Sequence, residues 1–200
     1  MHGQLDMNGS APDASAVAML IIDMISDFDF EGGEALASKA EALADRLAES
    51  KRRARAAGVP VIYVNDNHGR WRSDFRQQVE HVLDGTRGRS IAERLKPAAD
   101  DYFVLKPKHS GFYYTPLALL LGYLQARTLV VTGVRTESCV LFTANDAYML
   151  EFDLVVPPDG AVTFEDADHD AALRLIERDM KATLTPVEAI DWAALMRKKE

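Results

Sequence analysis

Cysteine occurs once in these 200 residues, as Cys139. A single thiol excludes an intramolecular disulfide and any Cys-x-x-Cys metal or redox pair, so a reducing cytoplasm is the expected location. An excess of cations is also missing. With 23 Lys and Arg against 31 Asp and Glu, the formal charge is −8, which argues against nucleic acid or an anionic membrane as main partner. No apolar run approaches the roughly 20 residues of a membrane span. The first residues lack the basic-then-apolar order of a secretory signal. No repeat is present, nor any linker rich enough in Pro, Gly or Ser to divide the chain.

What is present is an ordinary globular composition, 48% hydrophobic and 27% charged, with length for one fully covered α/β domain. The expected division is a mobile arm over 1–16, rich in small and polar residues without periodicity, and one domain over 17–200. Residues 17–22 are all apolar, which predicts a central parallel strand ending in Asp23. A helix over 34–57 follows, stopped by Gly58 and Pro60. Strands are expected at 61–64 and 101–105, the latter delivering Lys106. Between them, Ser73 should cap a short helix to Val82, with another turn or two at 91–95. Thr115 and Pro116 open a helix to Ala126 as N-cap and first helical residue. The next strand, 129–132, is closed by Gly133, and Thr136 caps a helix with Glu137 in its first turn. A strand at 154–157, a helix at 169–182, a strand at 187–190 and a terminal helix capped by Asp191 complete the series. Strands alternating with helices imply a single-domain, doubly wound (Rossmann-like) parallel sheet with helices on both faces.

In such sheets chemistry collects at the carboxyl ends of strands. Asp23, Lys106 and Cys139 all fall there. A thiol in the first turn of a helix meets free N–H groups and the positive end of the dipole, which favour its thiolate. Taken singly, each residue has an ordinary reading. A lone cysteine packs as a small hydrophobe, and an Asp–Lys pair closes a sheet edge. Together they supply a nucleophile, a base and a cation. Asp23 would take the thiol proton, Lys106 would hold the pair charged, and the N–H groups of Arg135 and Cys139 would form an oxyanion hole.

On these residues the chain resembles the isochorismatase-like cysteine hydrolase superfamily, which includes nicotinamidases and N-carbamoyl amide hydrolases. Residues 20–28, with Asp23, Asp27 and Phe28, look like its opening strand and Asp-Phe pair. Residues 104–115 look like its lysine strand and Ser-Ala-Phe loop, and align Lys106, not Lys108, with the catalytic lysine. Residues 132–140 are similar to the nucleophile motif. The resemblance implies a triad of Cys139, Asp23 and Lys106 and a non-proline cis peptide before Arg135. It implies hydrolysis of a small amide or N-carbamoyl substrate through a thioester, and a homo-oligomer, dimer or tetramer. Three positions depart from the pattern: Ile25 stands where many relatives carry Gln, Ser26 replaces the usual Asn, and Gly111 the common Ala.

Asp66-x-His68, with His81 further on, is similar to the metal-ligand run of nicotinamidases. It lacks their Trp between Asp and His and their second nearby His, so neither metal nor cofactor is expected. His68 and Trp71 are expected to wall a substrate pocket, with Phe28, Phe112 and Tyr113, although aromatics there serve equally as core. Arg135, if turned inward, suits a carboxylate or carbamoyl oxygen; turned outward it is a surface arginine. A haloacid-dehalogenase-type phosphatase needs a second Asp where Ile25 stands, and a papain-like protease is not built on a doubly wound sheet. A peroxide-reducing cysteine would lack a resolving partner. Two alternatives stay open: a vinyl-ether hydrolase of the isochorismatase type, and a non-catalytic binding or assembly member.

Overall fold

Strand β1 (Val17–Ile22) is buried along its whole length, because it runs between two parallel neighbours and under helices on both faces. The structure, a computed structural model, describes residues 14–72 and 74–197. Alternation along β1 divides the interior into two cores. Val17, Met19 and Ile21 face one, and Ala18, Leu20 and Ile22 the other. The remaining strands are β2 (Val61–Asp66), β3 (Tyr102–Lys106), β4 (Thr128–Val134), β5 (Asp153–Val155) and β6 (Ala161–Val162). Their order is β3-β2-β1-β4-β5, with β6 beside β4 and every pairing parallel.

Helix α1 (Gly33–Ala56) covers the first core with Leu36, Ala40, Leu43 and Leu47, a stripe at helical spacing. It is joined there by α2 (Phe75–Leu83), α3 (Arg89–Arg94) and α7 (Trp192–Arg197). The second core lies under α4 (Leu117–Leu124), α5 (Leu141–Met149) and α6 (Asp166–Met180). This is the doubly wound α/β sheet that the alternation of elements implies. After β3 the chain crosses to the other side of β1, so the direction of winding reverses between β1 and β4. Ligands of open α/β sheets bind at the carboxyl side of such a switch point.

Several boundaries differ from expectation. Gly133 does not end β4. It pairs with Ile22 and Ala161 at φ +121°, and a Cβ there would lie 2.1 Å from the Ile22 oxygen, so glycine lets β4 run on against β1. Residues 187–190 form a 3₁₀ turn (Val187–Ala189) instead of a strand. The Arg53 guanidinium takes the Val187, Glu188 and Ile190 carbonyls, and the β5 edge pairs instead at Thr183. Pro116, not Thr115, occupies the N-cap of α4. The Thr115 hydroxyl still accepts from Leu117 N–H at 3.2 Å, one position early. Asp74 caps α2, accepting from Gln77 N–H at 2.8 Å; Ser73 lies outside the described residues. Of the segment 1–16, residues 1–13 lie outside the described residues, while Ser15 is buried and donates to the Leu124 carbonyl.

Candidate active site

Asp23 follows the last residue of β1 in a left-handed conformation (φ +51°), with its N–H on the Val64 carbonyl. That backbone turn places the carboxylate over the carboxyl edge of the sheet. Its Oδ1 accepts from the Asp66 N–H at 2.6 Å, and its Oδ2 lies 2.8 Å from Lys106 Nζ. Lys106 is the last residue of β3 and fully buried. Its ammonium reaches Cys139 Sγ at 3.3 Å and Asp66 Oδ2 at 3.4 Å. Three N–H donors therefore meet three acceptors, the full capacity of a lysine head group.

Cys139 sits on a single π-helical turn (Thr136–Val140) leading directly into α5, not in the first turn of an α-helix. Thr136 is not the cap. Its hydroxyl lies 2.9 Å from His169 Nδ1, and His169 Nε2 lies 3.0 Å from the Pro158 carbonyl, so α6 braces the turn. Within the turn, the Ser138 and Val140 N–H groups both bond the Arg135 carbonyl, at 3.2 and 3.1 Å. The Val134–Arg135 peptide is cis.

The charges at this edge are coupled. Burial alone would pull the Lys106 ammonium below its ordinary value. The negative charges of Asp23, Cys139 and Asp66 outweigh it and hold the group above. Burial pushes the Cys139 thiol up to about 12; the Asp23 anion, which also hydrogen-bonds the thiol, adds to the rise, and Lys106 only partly opposes it. The expected resting thiolate is thus corrected. A second negative charge beside Asp23 in a poorly solvated site costs more than one turn of helix returns.

Of the residues expected at the site, the fold gathers Asp23, Lys106 and Cys139 into one contact group. The other expected residues are distributed around it. Phe28 is wholly buried in the first core, and Phe112 packs at the second core with its ring 6.1 Å from that of Phe152. His68 and Trp71 are exposed on the loop after β2, Trp71 at 77%, and Tyr113 is half exposed and edge-on to Tyr114. The Arg135 guanidinium lies 4.9 Å over the Phe164 ring, and its Nε is 3.3 Å from Glu137 Oε1. His81 lies 3.2 Å from Asp27. Burial would raise the Asp27 carboxyl, but the Asp29 N–H, the His81 hydrogen bond and the nearby His68 and His81 charges hold it low. Among the described residues, no group of three or more His, Cys, Asp or Glu is placed to hold a metal ion. No described helix is long and apolar enough to cross a membrane.

Two departures from the family pattern lie in the interior. Ile25 is fully buried and packs in the first core. At Gly111 a Cβ would meet a Val64 methyl at 2.8 Å, so an alanine requires Val64 to move. Asp66, the second anion on Lys106, was missed as part of this group. Its signal was a carboxylate ending β2 at the same level as Lys106 ending β3. A hollow of about 310 Å³, lined by Thr128, Asp153, Thr183 and Asp191, lies at the opposite edge, where β4 and β5 begin.

Known proteins carry the same framework. The Isochorismatase domain family model matches residues 17–189. The uncharacterized isochorismatase family protein YaaI of Bacillus subtilis is 40% identical over 173 residues, covering 86% of this chain and 95% of that protein. The ureidoacrylate amidohydrolase RutB of Methylorubrum extorquens is 30% identical over 195 residues, covering 82% of this chain and 77% of that one. An isochorismatase family protein from Desulfovibrio vulgaris superposes with a TM-score of 0.72 at 28% identity, over 88% of this chain and 97% of its own. A match running from the first strand through the 3₁₀ turn, on a sheet of this winding, establishes that the chain belongs to the isochorismatase family of hydrolases.

Proposed function

We propose that the protein is a cysteine-dependent hydrolase of a small amide or N-carbamoyl-type substrate, acting through a thioester. The observation that carries this reading is the placement of Lys106 Nζ between Asp23 Oδ2 (2.8 Å) and Cys139 Sγ (3.3 Å). A merely structural Asp–Lys pair has no need of a thiol as third partner. In the resting state the thiol keeps its proton and Asp23 is its acceptor. As Sγ attacks the carbonyl carbon, the proton moves to Asp23 and the carbonyl electron pair moves to oxygen. The N–H groups of Arg135 and Cys139 receive that oxygen. Asp23 then protonates the leaving nitrogen as the C–N bond breaks, leaving the thioester. The same carboxylate next takes a proton from the water that hydrolyses it. In this reading the exposed His68, Trp71 and Tyr113, with Arg135, would line the substrate pocket, whereas Phe28 and Phe112 pack in the two cores. The similarity to a ureidoacrylate amidohydrolase supports a ureido or carbamoyl carbonyl as the reacting group.

The test is a panel of small primary amides, ureido acids and N-carbamoyl amino acids, assayed for ammonia release, with intact-mass detection of the thioester. Ammonia together with a substrate-dependent mass increase on Cys139 is the expected result. Turnover of a vinyl ether with no adduct on Cys139 would replace this reading, and binding without turnover of either class would indicate a non-catalytic member.

The reading includes self-association as a dimer or tetramer. Leu119 and Tyr123 on α4 and Phe142 and Met149 on α5 are exposed, and residues 109–126 contain no Asp, Glu, Lys or Arg. For a chain of net charge −8, an uncharged apolar face is where two copies approach with least repulsion. Leu119→Glu is expected to lower the mass measured by light scattering after size exclusion while leaving the circular dichroism unchanged. An unaltered oligomer would place the interface elsewhere, and a monomeric wild type would remove self-association.

A further inference from the structure

We infer that Asp66 is a positioning residue, the permanent counter-ion that keeps Lys106 charged while Asp23 and Cys139 exchange their proton. The inference rests on the thioester chemistry proposed above. Asp66 ends β2 in direct register with Lys106 at the end of β3. Its Oδ2 lies 3.4 Å from Lys106 Nζ, and its Oδ1 accepts from the His68 N–H at 2.7 Å. Its own N–H holds Asp23 Oδ1 at 2.6 Å. Both carboxylate oxygens are thus engaged, one by the loop and one by the ammonium.

The need for this residue appears on following the charges through the first step. Lys106 faces ionisable groups from three elements: Asp23 after β1, Asp66 on β2 and Cys139 on the π-helical turn. Before attack, Asp23 carries the negative charge and Cys139 the proton. When Sγ bonds to the carbonyl carbon, the carbonyl electron pair goes to oxygen and the thiol proton goes to Asp23. Asp23 is then a neutral acid, and sulfur, now bonded to carbon, carries no charge. Lys106 is fully buried, so water cannot compensate its ammonium. The one new negative charge sits on the carbonyl oxygen at the Arg135 and Cys139 N–H groups. Without Asp66 the ammonium would have no anion in contact, and that cost would fall on the intermediate rather than on the resting protein. Asp66 takes no part in the proton exchange and remains charged throughout.

Asp66→Asn in the full-length chain isolates the charge. The asparagine oxygen keeps the His68 N–H, and the backbone N–H on Asp23 is untouched, while the atom facing Lys106 turns from a charged acceptor into an N–H donor. A structural role through the loop therefore survives the change, while the counter-ion does not. On an amide substrate, kcat is expected to fall roughly 10- to 100-fold with KM within about twofold. Independently of turnover, the side-chain ¹⁵N resonance of Lys106, assigned with Lys106→Met, should lose its ammonium signature at lower pH in the variant than in the wild type. A Lys106 titration that does not move overturns the inference, whatever happens to kcat. A shifted titration in a wild type that hydrolyses no amide supports the counter-ion and removes the thioester reading instead.

Discussion

Cys139→Ala is expected to lower amide hydrolysis by about 10,000-fold or more while leaving the protein folded. Sulfur is the only atom in the contact group able to form a covalent intermediate that a neighbouring base can assist, since Lys106 is a buried cation held by Asp23 and Asp66. Without it, water would have to attack the carbonyl directly. Removing one sulfur from a partly exposed position at the margin of the second core costs stability on the order of 1 kcal/mol. The melting temperature should therefore drop by only a few degrees. The check is ammonia release by wild type and variant at equal concentration, with circular dichroism of both. Retained ammonia release in a folded variant would sink the nucleophile assignment, because water would then be attacking the carbonyl without the thiol. Loss of turnover with loss of fold would show Cys139 to be structural; Cys139→Ser, nearly isosteric, then tests whether the hydroxyl restores the fold without the rate.

How much of this was legible in the sequence depended on whether a feature is written along the chain or between strands. The six apolar residues of β1 announce a strand buried on both faces, and the chain places Asp23 directly after it. Lys106 and Cys139 were found by the same rule, because a strand end is a local signal. Asp66 was not found as their neighbour. Its contact with Lys106 depends on the register of β2 against β3, which no spacing along the chain encodes. Gly133 reads as a strand stop, since glycine usually is one, but the close approach of β1 is what requires it. Thr136 has the right residue type for a helix cap, yet its hydroxyl is taken by His169 of α6, a partner 33 positions away. The two-residue β6 is too short to leave a pattern. The thiol's charge state was misjudged for a related reason. The helix end is visible in the sequence, whereas burial and the Asp23 anion are visible only once the strands are assembled.

Asp23→Asn should move two properties of Cys139 in opposite directions. Hydrolysis should fall by roughly 100- to 10,000-fold, because asparagine can neither accept the thiol proton nor return one to the leaving nitrogen. Alkylation of the thiol by iodoacetamide should become faster. In the wild type, burial first and the Asp23 anion second push the thiol up to about 12, so at pH 8 very little thiolate is present. Its alkylation rate should rise about tenfold per pH unit until the thiol titrates. Asparagine removes the anion and leaves burial, which still raises the thiol, and Lys106, which lowers it. The thiolate fraction at pH 8 must then increase, and a gain of at least about tenfold in alkylation rate corresponds to a downward shift of one pH unit. Lys106 keeps Asp66 as its anionic partner in this variant, so the cation that stabilises the thiolate is still in place. A damaged site would lose both hydrolysis and regulated reactivity, whereas loss of catalysis with a gain in thiol reactivity identifies Asp23 as an anion beside the sulfur. Alkylation that stays at the wild-type rate would mean that Asp23 does not hold its charge against Cys139, and the proton exchange between the two would have to be abandoned.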